Sequence, residues 1–214
     1  MNRKKSMEET NVLCPEGKFL PPGNFDFLVM VDVQNDFITG NLGSQEARDA
    51  FKNVLELCMN FDWRKIIYTK DTHGIDYFDT QEGRNLPVEH CVVDTAGWCL
   101  PNDLQKLMIE KSSMEIRKGA FGTFDIFNET GLENVGKGSY EDSRIFVCGL
   151  CTDICVISNI LILKAKFPET EIICVTDACA GSTPERHKAA LEVMKSCQVK
   201  LMTIGEIPSP SDPA

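Results

Sequence analysis

The chain has 214 residues, 43% of them hydrophobic and 25% charged, which suits one well-buried core and excludes a chain disordered throughout. A formal net charge of -10 disfavours nucleic acid and anionic membrane surfaces as partners, and no apolar run reaches the ~20 residues of a membrane span. The basic start MNRKK has no apolar run behind it, so no secretory signal is read and a cytoplasmic setting is expected.

Residues 1–24 read as an extended N-terminal arm, 25–207 as one domain and 208–214 as a flexible tail. Within the domain, the apolar run 25–33 (FDFLVMVDV) predicts a buried strand. Apolar residues at Ala47, Phe51, Val54, Leu55 and Cys58 predict a helix over 45–59. Strands are then expected at 65–69, 114–117, 144–148, 171–176 and 199–203, with helices at 102–111, 152–166 and 184–196. This alternation predicts an α/β fold with a mainly parallel sheet covered on both faces, whose ligands bind beyond the C-terminal strand ends.

Three of those ends carry residues able to do chemistry. Asp32 closes the first strand in VDVQNDF, Lys118 follows the strand near 115 in IRKGAFGTF, and Cys155 lies in the turn GLCTDICV that opens a helix. Unpaired N–H groups of that first turn and a nearby ammonium favour a thiolate, and a nearby carboxylate can take and return the thiol proton. Backbone amides of Cys151 and Cys155 are candidate oxyanion-hole donors. Taken singly, each residue has a structural explanation as a cap, a surface lysine or a buried thiol; their shared position is what points to acyl transfer.

The ordered set DVQNDF, DTH, LPVEHC, RKGAFGTF and GLCTDICV resembles the isochorismatase-like cysteine hydrolases, and within them is most similar to the nicotinamidases. The likeness runs from about residue 27 to 203. It implies a Rossmann-like, three-layer α/β/α fold with six strands, a triad of Asp32, Lys118 and Cys155, and a cis peptide near Leu150–Cys151. It also implies a divalent metal, zinc first with iron or manganese as alternatives, held by Asp71, His73 and His90. Many nicotinamidases carry a second histidine four residues after the first, where this chain has Tyr77; Glu82, farther along the loop, is the replacement ligand expected from other relatives. Phe37, Phe121 and Phe124 are expected to wall a pocket for a small amide, and the likeness implies a homo-oligomer.

Relatives also cleave ureidoacrylate, N-carbamoyl amines and isochorismate, although the isochorismatases proper lack the metal motif. A separate reading takes Cys148 and Cys151 as a C-x-x-C thiol redox pair, which Cys148's place inside an apolar strand run disfavours. The ten cysteines are otherwise read as reduced, buried apolar groups. A catalytically silent binding module is the third reading, against which the intact triad and metal motif speak.

Overall fold

The computed structural model describes residues 22–23, 25–128, 130–140 and 142–208. The expected arm, apart from positions 22 and 23, and the expected tail beyond 208 lie outside the described residues.

Six strands form one parallel sheet: β1 (Phe27–Val31), β2 (Lys65–Asp71), β3 (Met114–Lys118), β4 (Ile145–Leu150), β5 (Ile172–Ala180) and β6 (Lys200–Met202). Their order is β3-β2-β1-β4-β5-β6. Every residue of β1 and β4 is buried, as expected of strands covered on both faces. Right-handed crossovers that start from β1 and β4 and run in opposite directions place helices on opposite faces, giving three layers. The order reverses between β1 and β4, and at such a reversal a crevice opens beyond the strand ends. Asp32 follows β1 and Cys151 follows β4, so the sheet topology itself brings these two expected residues to that crevice.

The helices are α1 (Asn35–Ile38), α2 (Gln45–Asn60), α3 (Gln81–Asn85), α4 (Asn102–Glu110), α5 (Ile157–Lys166) and α6 (Pro184–Ser196). Helix α2 starts where Ser44 Oγ accepts from the Ala47 N–H at 3.0 Å and buries Ala47, Ala50, Val54, Leu57 and Cys58; of the expected stripe, Phe51 and Leu55 are only partly buried, and Ala50 and Leu57 face the core instead. Thr183 caps α6 in the same way, with Pro184 in the first turn. At the opposite edge of the sheet, Arg144 pairs with Asp26 at 2.6 Å and ties the starts of β1 and β4 together.

Two expected elements differ. The helix expected over 152–166 is a π-helical turn, Thr152–Val156, followed by α5. Such a turn widens the helix start and changes the direction of the residues it carries. Strand β5 continues past residue 176 to Ala180, because a register shift between Val147 and Gly149 absorbs the extra residues. The helices α1 and α3 are too short for periodicity to reveal.

Gly149 sits in β4 at φ +127°, where a Cβ would come within 2.0 Å of the Val31 carbonyl oxygen. Only glycine fits both the dihedral and the close strand approach. Gly149→Ala is therefore expected to lower unfolding free energy by about 3 kcal/mol or more, read by urea titration. A loss below about 1 kcal/mol would show that β1 and β4 can separate at little cost.

Candidate active site

Lys118, the last residue of β3, is in register with Asp71, the last residue of β2. Strands lie ~4.8 Å apart, so only a long side chain starting on β3 reaches over β2 to the β1 and β4 ends. The Lys118 ammonium does so. It lies 2.6 Å from Asp32 Oδ2, 3.3 Å from Asp71 Oδ1 and 3.5 Å from Cys155 Sγ. All four side chains are buried.

Asp32 adopts φ +50° immediately after β1. Its Oδ1 accepts from the Thr69 hydroxyl at 2.6 Å, which leaves Oδ2 for Lys118. Burial raises the Asp32 carboxyl and the Lys118 charge opposes it, with a net upward shift. Burial pulls Lys118 down, but Asp32, Cys155 and Asp71 outweigh it and hold the ammonium charged. Burial, with Asp32 adding to it, pushes the Cys155 thiol well up, against the pull of Lys118. Desolvation thus leaves Cys155 as a thiol, in keeping with the expectation that a nearby carboxylate takes its proton.

The Leu150–Cys151 peptide is cis. The Cys151 N–H has no protein acceptor among the described residues, while its carbonyl accepts from Ile154 and Val156 at 3.1 Å. Asn159 on α5 donates to the Cys155 carbonyl at 2.8 Å and to the Phe121 carbonyl at 3.1 Å, and its Oδ1 accepts from the Thr123 N–H at 3.2 Å. This residue fastens the loop after Lys118 to the turn that carries the thiol.

The second group of expected residues converges as well. One donor atom from each of Asp71, His73, Glu82 and His90 lies within 4.8 Å of all the others. Asp71 Oδ2 is 3.0 Å from His73 Nε2 and 3.5 Å from His90 Nε2, while Glu82 Oε1 is 3.7 and 3.6 Å from the same nitrogens. The Val88 carbonyl, 2.9 Å from His90 Nδ1, leaves Nε2 to face the cluster. Burial pushes Asp71 up, yet hydrogen bonds from both histidines and the Lys118 charge outweigh it and hold the carboxyl below the usual range. Burial and Asp71 together push Glu82 up.

Tyr77, at the position of the missing histidine, is no ligand here. Its hydroxyl donates to the Leu86 carbonyl at 2.8 Å, and its ring packs edge-on against His73 and His90. Glu82, on α3, supplies the fourth donor instead. A donor set of two imidazoles and two carboxylates suits zinc.

A cavity of about 810 Å³ opens over both groups. Phe37 lines it and meets His90 edge-on at 5.5 Å between ring centres, and Phe121 lines it half-exposed. Phe124 does not line it. The short 3₁₀ turn Asp125–Phe127 that follows leaves its ring 74% exposed, so the expectation of a pocket wall at Phe124 is corrected. Sequence reasoning also gave no role to Gln34. Its side chain grips the Asp71 backbone from both sides, accepting from the N–H at 2.7 Å and donating to the carbonyl at 2.9 Å. In the C-x-x-C pair both cysteines are free, and burial pushes the Cys148 thiol well up.

Residues 26–206 match the family model of the isochorismatase domain. The chain belongs to the isochorismatase-like hydrolases. No curated protein matches it. Among solved structures, it is similar to the nicotinamidase/pyrazinamidase of Bacillus subtilis, at 25% identity and a TM-score of 0.65 over 83% of this chain and 98% of that one. It is also similar to a pyrazinamidase of Pyrococcus horikoshii in complex with zinc, at 28% identity and a TM-score of 0.62 over 84% and 99%. A nicotinate complex from L. infantum, 22% identical with a TM-score of 0.70 over 88% and 98%, shares the fold. None of the described helices is long and apolar enough to cross a membrane.

The donor geometry separates Glu82 from Tyr77 by experiment. Glu82→Gln is expected to weaken zinc binding to the metal-stripped protein by about tenfold or more, measured by calorimetry. Tyr77→Phe is expected to leave the affinity within about threefold, since the lost hydroxyl faces Leu86. The reverse pattern would assign the fourth ligand to the tyrosine.

Proposed function

We propose that this protein is a cysteine amidohydrolase that cleaves a small carboxamide to the acid and ammonia through a thioester on Cys155, with nicotinamide as the first candidate substrate. The observation that carries the proposal is the Lys118 ammonium placed 2.6 Å from Asp32 and 3.5 Å from the sulfur of Cys155, a residue that lines the cavity. The amidase neighbours support the same reading.

Asp32, held beside Cys155 by the Lys118 ammonium that contacts both, takes the thiol proton, and the sulfur adds to the amide carbon. Lys118 offsets the negative charge on either partner, so the pair can exchange a proton without leaving an unpaired buried anion. The oxyanion is received by the amides of Cys151 and Cys155. Protonated Asp32 returns its proton to the leaving nitrogen and ammonia departs. Water then adds to the thioester while Asp32 accepts its proton, and the collapsing intermediate releases the acid and restores the thiol. Asp71, His73, Glu82 and His90 would hold a divalent cation, which supplies a Lewis-acidic centre for a ring nitrogen of the substrate. Phe37 and Phe121 would flank a planar ring.

Ammonia release from nicotinamide, followed with zinc, iron or manganese added to stripped protein, tests the proposal. Metal-dependent release that falls by about a thousandfold or more in Cys155→Ala is expected. Turnover retained in Cys155→Ala would overturn the mechanism, and release from other amides but not from nicotinamide would overturn the substrate.

A further inference from the structure

The cavity is larger than a single-ring carboxamide requires. Its volume falls in the range that holds drug-sized ligands. Its lining is also polarised along the sheet. Asp71, His73, Glu82 and His90 come from β2 and the segment after it, whereas Ser182 and Arg186 come from the segment after β5. Three strand spacings separate β2 from β5, about 14 Å. Cys155 follows β4 and stands between the two ends, one strand from Arg186's side.

Arg186 lies in the first turn of α6, and its backbone N–H is held by Thr183 Oγ1 at 3.2 Å. Its Nη1 donates to Ser182 Oγ at 3.3 Å. The neighbouring carboxylate is already engaged: Asp153 accepts from the Ser182 N–H at 2.7 Å and the Ser182 hydroxyl at 2.6 Å. Arg186 forms no ion pair among the described residues, and its Nε and Nη2 have no protein acceptor there. One edge of the guanidinium fork is therefore open, the edge that matches a carboxylate with two parallel hydrogen bonds. Arg186 is exposed at the cavity wall, where its charge can draw an anionic group against the chain's net charge of -10.

We propose that Arg186 is an anion-receiving subsite, and that among small carboxamides the cavity prefers those carrying a carboxylate a few bonds from the scissile carbonyl. This assignment rests on the amidohydrolase reading of Cys155 for the amide and adds the class of its substituent. The anionic end lies toward β5, and the four-donor cluster occupies the opposite end of the cavity. Nicotinamide fills only part of this space and leaves the guanidinium without a partner.

Succinamate and glutaramate, compared with the matched neutral amides butyramide and pentanamide, test the assignment. Calorimetric binding to Cys155→Ala protein is expected to favour the acids by about tenfold. Adding Arg186→Met should erase that preference, and adding Arg186→Lys should keep part of it, since an ammonium retains the charge without the fork. Equal binding of acid and neutral amide, or a preference that survives Arg186→Met, would overturn the subsite. Turnover of the same pairs by the unaltered protein tests the amidohydrolase reading separately. A binding preference without hydrolysis of any pair would sink that reading and leave the subsite supported.

Discussion

One ammonium organises the site. Lys118 Nζ lies within 3.5 Å of Asp32, Asp71 and Cys155, which arrive from β1, β2 and the turn after β4. Its own strand is β3, at the edge of the sheet. Removing this charge would leave two buried carboxylates facing each other beside a buried thiol, an arrangement that costs several kcal/mol in a medium that cannot solvate it. The same charge lets a proton pass between sulfur and carboxylate, so stability of the crevice and reactivity of the thiol depend on one residue.

Asp71 links the two halves of the site. Its Oδ1 meets Lys118 and its Oδ2 meets both histidines, while Gln34 fixes its backbone. A change in the charge at the four-donor cluster is therefore felt at Lys118 through one carboxylate, and from there at Asp32 and Cys155.

Much of this was legible in the sequence, for identifiable reasons. Strand ends are marked by a polar residue closing an apolar run, which exposed Asp32, and the helix-opening turn exposed Cys155. Parallel topology then required those ends to share an edge. The metal donors were legible only through the motif resemblance. What escaped notice depends on distance rather than pattern. Gln34 binds backbone atoms 37 residues away, and Asn159 joins two segments 38 residues apart. Phe124 satisfied the motif but not the geometry, because a 3₁₀ turn carries its ring outward. The depth at which Cys155 is buried could not be read from its place in a helix turn.

The central claim is a covalent bond to Cys155 formed while Asp32 holds the thiol's proton. Its most direct test is acid-quenched mass spectrometry of the protein mixed with a substrate amide, read on the peptide that contains Cys155. The account expects an added acyl mass on that cysteine during turnover and its loss once the substrate is spent. Turnover with no adduct, or an adduct on another cysteine, would contradict it.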